Sequence, residues 1–317
     1  MVALAVKPRR WIRRLLVAVV IVIIALAGAR AWLLRDPEPH FVARHRGMAA
    51  AEAQAPRRVG NVLEQDVIVR DSSGLAVELR IRRRADAPDG SGAGTPAPLF
   101  VLLGGHMSGK ESASLIEDPR HFVVASISYP FDGNERVTGI AVVGEVPAIR
   151  RAILDTPPAV MLALDYLLGM GGIDSSRVEL VGASFGVPFA SVIGALDQRV
   201  RRVWLVQGGA DPYTMILAGL REEIAFMPAR KLVAKLADAL ASGPRFDPGR
   251  WVARISPRPV MMVNTQDDER IPRASADALH AAARDPKEVI WLPGLHVQPN
   301  RPDVLRALVD AVFSRMD

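Results

Sequence analysis

Residues 178–188 read Val178-Glu179-Leu180-Val181-Gly182-Ala183-Ser184-Phe185-Gly186-Val187-Pro188, a short apolar run that passes through G-x-S-x-G. Val178–Val181 suits a strand, and Val187–Leu196 suits a helix with Pro188 in its first turn, where a missing N–H costs no hydrogen bond. The glycine spacing has a mechanical cause. A nucleophilic serine on a sharp strand-to-helix turn needs small residues two places before and two after it, because the backbone there packs too closely for a Cβ. Ser184 is therefore the candidate nucleophile.

Outward from this segment the same rhythm repeats. Leu99–Leu103, Phe122–Ile127, Val203–Val206, Val260–Val263 and Val289–Leu292 are short apolar runs of the kind buried on both faces of a parallel sheet. Helical stretches lie between and beyond them at Pro147–Leu168, Ala274–Ala283 and Pro302–Phe313. The alternation predicts an α/β fold, with a mostly parallel central sheet and helices on both faces. Ahead of it, Asp66–Arg70 and Leu75–Arg82 alternate around Asp71-Ser72-Ser73-Gly74, which predicts a β-hairpin. Asp211–Arg250 breaks the rhythm with a long amphipathic pattern (Leu220, Ile224, Met227, Leu232, Leu236, Leu240) and reads as a helical cap insertion. Such a cap is expected to shape an apolar acyl pocket. Residues 36–60 lack clear periodicity and read as a linker with room for a short helix, with the globular domain over 61–317.

The chain has 317 residues, 50% of them hydrophobic and 23% charged, with a net charge of +6 and no cysteine. That composition excludes general disorder, disulfides, thiolate metal sites and cysteine nucleophiles. Lys7, Arg9, Arg10, Arg13 and Arg14 supply most of the excess charge, so the remainder is close to balance and no nucleic-acid surface is expected. The Arg82-Arg83-Arg84 run reads as a solvated strand end. Directly after the basic cluster, residues 15–29 carry no charge. Within 1–35 this pattern fits either an uncleaved transmembrane anchor, with Trp32 at the interface, or a cleaved signal peptide with small-residue sites at 25–29. Both readings put the basic end in the cytoplasm and the domain outside it.

A serine hydroxyl needs a base, and the base needs a carboxylate to orient it. On a strand–turn–helix serine site the chain order runs serine, acid, histidine. His280 falls inside an alanine-rich helical stretch and reads as structural. His296, in Leu292-Pro293-Gly294-Leu295-His296, follows the last strand and is the candidate base. The acid is expected in Asp267-Asp268-Glu269-Arg270-Ile271-Pro272, with Asp268 as the choice and Asp267 as its rival. Two N–H groups must meet the developing oxyanion. These are assigned to the backbone of Phe185 and to that of His106, with Met107 as the alternative, in the loop Gly104-Gly105-His106-Met107.

Over residues 60–317 the chain resembles the α/β-hydrolase superfamily, and residues 173–184 resemble its dienelactone-hydrolase and prolyl-oligopeptidase branches. The resemblance rests on Gly182-Ala183-Ser184-Phe185-Gly186, on Asp268-Glu269-Arg270-Ile271-Pro272 and on His296. It implies a Ser184–His296–Asp268 triad that works through an acyl-enzyme, without metal or organic cofactor. The expected substrate is a small-molecule or lipid-like acyl compound, an ester ahead of a thioester or amide. The family's customary His-Gly is Gly104-Gly105 here, and its second glycine after the serine is Val187. A non-catalytic binding protein, or an acyltransferase using the same triad, would carry the same residues. Gly104–Lys110 also fits G-x-x-x-x-G-K, but Glu111 stands where a phosphate loop needs Ser or Thr, which argues against nucleotide binding.

Overall fold

The computed structural model describes residues 10–33, 35–86, 95–105, 107–134, 136–137, 141–241, 243–298 and 300–316. The chain divides into two compact units, Met1–Asp36 and Pro37–Asp317. The first contains helix α1 (Arg10–Leu33), in which Arg13–Trp32 has mean hydropathy 2.5 over 20 residues, long and apolar enough to cross a membrane.

The second unit is built on a ten-stranded sheet. Its strands are β1 (Met48–Ala53), β2 (Arg57–Val59), β3 (Val62–Asp71), β4 (Ala76–Arg84), β5 (Ala97–Leu103), β6 (Val123–Ile127), β7 (Ile173–Ala183), β8 (Arg202–Val206), β9 (Val260–Thr265) and β10 (Lys287–Leu292). The spatial order is β1-β3-β4-β6-β5-β7-β8-β9-β10, with β2 paired to β3. From β6 to β10 neighbouring strands run parallel, while β1 to β4 join by antiparallel pairing. The apolar runs were continuous in sequence because both faces are covered. Leu99, Val101 and Leu103 of β5 enter one core, and Phe100 and Leu102 enter the other.

Helices α3 (Val142–Gly169) and α4 (Val187–Leu196) fill the first core, with α9 (Arg273–Ala282) contributing Leu279. Helix α10 (Pro302–Phe313) and a 3₁₀ turn at Gly109–Leu115 cover the second. Both faces thus carry helix, as the alternation predicts.

Residues 37–60 carry the short helix for which the sequence left room and, beyond the linker expected, two strands of the domain. Helix α2 (Glu38–Arg44) places Phe41 in the first core, its ring 5.4 Å from Phe246. His40 and His45 bond Asp155 and Asp165 of α3 at 2.9 and 2.8 Å. β1 and β2 then extend the sheet. Met48–Ala53 is exposed along its whole length, so its sequence carries no alternation, and pairing with β3 alone makes it a strand. The arginine run also departs from expectation. Arg82 is buried, lies 3.3 Å from Glu64, and donates to the carbonyls of Ala113 and Ile116 at the end of the 3₁₀ turn.

The Asp211–Arg250 insertion is helical but not uniform. It holds α5 (Pro212–Gly219), α6 (Met227–Leu240), α7 (Gly243–Phe246) and α8 (Pro248–Val252). The last two belong to the body of the domain, because Phe246, Trp251 and Val252 are core residues. In α6 only Ala234 is buried, while Leu232 and Leu236 of the expected apolar stripe are exposed.

Candidate active site

Ser184 sits at the C-terminal end of β7 with φ +52°, left-handed backbone that L-residues adopt at a cost and that turns its side chain out of the sheet. The flanking glycines are set by contact. A Cβ on Gly186 would stand 2.0 Å from the Leu103 carbonyl oxygen of β5, and one on Gly182 would stand 2.6 Å from the Gly186 carbonyl. Gly186→Ala should therefore force β5 and the turn apart, lowering stability by about 2–3 kcal/mol in thermal or denaturant unfolding.

The structure brings three of the sequence-predicted side chains together. Ser184 Oγ lies 2.8 Å from His296 Nε2. His296 is buried, and its Nδ1 lies 3.0 and 2.9 Å from the two carboxylate oxygens of Asp268. A carboxylate at Nδ1 holds the proton there and leaves Nε2 free to accept from the serine hydroxyl. Asp268 is itself fixed, since its Oδ1 also accepts the N–H groups of Arg270 and Ile271 at 2.9 and 2.8 Å. Asp267 is exposed, and its backbone N–H donates to Gly294. Between the two rivals it is Asp268 that reaches the imidazole.

Sequence reading missed the residues that clamp the histidine loop. Gln207 is fully buried; it donates to Thr265 Oγ1 at 2.7 Å and to the Leu295 carbonyl at 3.0 Å, and its Oε1 accepts the Val297 N–H at 2.6 Å. The available signal was a lone amide directly after the apolar run Val203–Val206, a position that demands partners. Glu269 accepts the His296 N–H at 2.9 Å and pairs with Arg301, which donates to the His296 carbonyl at 2.8 Å.

Burial, the largest single influence on the Glu269 carboxyl, pushes it upward, but the His296 N–H and the Arg301 guanidinium together bring it from 4.5 down to about 2. A depressed carboxyl contributes stability that is present above its unfolded value and lost as pH falls through its folded one. The clamp should therefore weaken progressively between about pH 4.5 and 2. In Glu269→Gln, Tm measured across that range should fall less steeply with acid than in the wild type.

Phe185, whose backbone N–H the sequence assigned to the oxyanion, has its ring 5.2 Å from Tyr129 and 5.4 Å from Phe189. His106 lies outside the described residues. Its alternative, Met107, is exposed at the rim. The loop they share is held by the Tyr129 hydroxyl, which donates to the Gly104 carbonyl at 2.6 Å. Burial raises the Tyr129 pKa and keeps that hydroxyl protonated.

Two other sequence features are absorbed elsewhere. Lys110 lies 3.1 Å from Asp66 and 3.2 Å from Glu78, and Glu111 pairs with Arg80, so the G-x-x-x-x-G-K segment spends its cation on carboxylates of β3 and β4. His280 shares a 2.9 Å hydrogen bond with Asn264, with burial lowering its pKa, as expected of a structural residue.

Ser184 and His296 line a cavity of about 280 Å³ between the sheet and α10. A second, of about 670 Å³, lies along α3 beyond Phe185. No described residue of 211–250 lines either one, whereas the sequence suggested that this insertion shapes the pocket at the serine.

No protein-family model matches the chain, and no curated protein matches it in sequence. Solved structures do match. Acetyl xylan esterase 1 from Thermoanaerobacterium sp. JW/SL YS485 is similar with a TM-score of 0.64 at 14% identity, covering 88% of this chain and 92% of its own. Acetyl xylan esterase from Paenibacillus sp. R4 gives 0.60 at 16%, covering 86% and 92%. The chain has the α/β-hydrolase fold. A cold-adapted esterase from an Arctic intertidal metagenomic library is also similar, with a TM-score of 0.53 at 18% identity over 85% of this chain and 100% of its own. Within the α/β-hydrolase fold the Ser184 turn, the loop after β9 and the loop after β10 converge at the C-terminal edge of the sheet, where ligands of open α/β sheets bind.

Proposed function

We propose that this α/β-hydrolase-fold protein is a serine hydrolase that cleaves a carboxylic ester through an acyl-enzyme. The observation that carries the reading is the continuous chain from Ser184 Oγ through His296 to Asp268, at 2.8 and 2.9 Å. His296 Nε2 takes the Ser184 proton as Oγ attacks the ester carbonyl. The Phe185 N–H, with a donor from the loop after β5 (His106 by sequence order), holds the oxyanion. Collapse of the tetrahedral species breaks the bond to the alcohol, which leaves with the proton from His296. Water then gives its proton to His296 and attacks the acyl carbon, and the acid departs as Ser184 regains its hydrogen. Similar structures described as acetyl xylan esterases and as an esterase support ester cleavage over amide cleavage.

The test is a panel of p-nitrophenyl esters, thioesters and aminoacyl amides. Turnover of the esters, ahead of the other two classes, is the expected result. A folded chain inactive on the whole panel would overturn the reading and favour a binding protein. Turnover that partitions towards added alcohols would indicate acyl transfer by the same residues.

The apolar stretch Arg13–Trp32 supports a location at the membrane, as an anchor or as a signal removed during export. Fractionation of expressing cells checks this. An anchored chain stays with membranes through high-salt washing and keeps its full mass, whereas a shorter, soluble exported form identifies a signal. Full-length chain in the cytosolic fraction would contradict both.

A further inference from the structure

The cavity at Ser184 differs in kind from the rim around it. Leu102 and Val181 wall it from the sheet, Ile116 from the loop after the 3₁₀ turn, and Leu308, Val309 and Val312 from α10. Apart from Ser184, the two hydroxyls in the wall satisfy each other, and the Gln298 amide donates to Glu269 at 3.4 Å. Ser108 Oγ lies 2.7 Å from Ser112 Oγ and donates to the Gly105 carbonyl at 2.9 Å, so neither calls for a ligand group. The lining arginine, Arg270, is exposed to solvent. What this volume offers is apolar contact. The rim, by contrast, is open, with Met107 78% and Phe185 41% exposed.

That asymmetry bears on which part of an ester goes where. In an acyl-enzyme the acyl group stays on the serine while the alcohol must depart before water can enter. A cavity covered by α10 suits the part that stays, and an open rim suits the part that leaves. Size then sets the chain. An apolar cavity of about 150 Å³ holds benzene, so the 280 Å³ here matches a linear chain of roughly eight carbons.

We infer that the cavity under Ser184 is an acyl-chain site, and that the preferred substrate is an ester of a medium-chain fatty acid, not of acetate. This rests on the serine-hydrolase reading and adds to it a specificity that the acetyl esterases of similar fold do not suggest. Leu308 and Val309 are the residues set to limit chain length.

The experiment is kcat/KM for p-nitrophenyl esters from acetate to palmitate, with the leaving group constant. For the wild-type chain it should rise by up to about fourfold per methylene, pass through a maximum near octanoate and fall beyond it. In Leu308→Trp, which fills the cavity, the octanoate-to-acetate ratio should drop at least tenfold. Val309→Phe, at a half-buried position that tolerates bulk better, should lower the same ratio if Leu308→Trp does not fold. A wild-type preference for acetate, or a ratio unmoved in the folded variants, would overturn the inference and leave the hydrolase reading intact. Failure to turn over any ester would overturn both.

Discussion

Ser184→Ala should lower ester turnover by about 10⁴-fold or more, because residues that act as one catalytic unit lose nearly the whole effect when any key member is removed. The substitution deletes only Oγ. The left-handed backbone at Ser184 and the close contacts of Gly182 and Gly186 do not depend on the hydroxyl, so the variant should fold with the wild-type Tm. The double variant Ser184→Ala, His296→Ala should be scarcely worse than the single one. Additive losses would mean that the two side chains, though 2.8 Å apart, act independently.

Asp268→Asn is the second large effect, and it discriminates between two adjacent carboxylates. An amide at this place can keep its oxygen on the N–H groups of Arg270 and Ile271, which now bond Oδ1 at 2.9 and 2.8 Å. Its NH₂ group would then face His296 Nδ1, which favours the tautomer with the proton on Nε2 and blocks acceptance from Ser184. A loss of about 10⁴-fold in kcat is expected with little change in stability. Asp267→Asn, at an exposed position, should change kcat by no more than about twofold. Steady-state kinetics on the two variants side by side check this, and a larger loss at Asp267 would reverse the assignment.

How much of this was written in the sequence depends on where each signal lies. The parallel strands were legible because burial on both faces forces runs such as Leu99–Leu103 and Val203–Val206 to be apolar throughout. That Ser184, His296 and Asp268 would meet was legible because spacing and chain order constrain such a grouping more than composition does. Phe41 was not, since one aromatic in a non-periodic stretch says nothing about which core receives it. β1 was hidden for the opposite reason: an exposed edge strand of Met-Ala-Ala-Ala-Glu-Ala carries no face to read.

Gln207 and the Glu269–Arg301 pair show a further limit. They act on the His296 loop from positions 89 and 27 residues before it and 5 after it, contacts that only the folded chain brings together. The cap shows how amphipathicity misleads. Leu232 and Leu236 form a helical stripe, yet α6 buries only Ala234 and leaves that stripe in solvent. The described lining comes instead from α10, which the sequence offered only as a helical stretch, and from the loop after β5, which it offered only for an oxyanion donor.

The most direct test of Ser184 as nucleophile is the intact mass of the full chain after treatment with a fluorophosphonate. One adduct is predicted, located on the peptide containing Ser184 and absent from Ser184→Ala. A folded wild-type chain that takes no adduct, or takes it on another residue, would contradict the assignment.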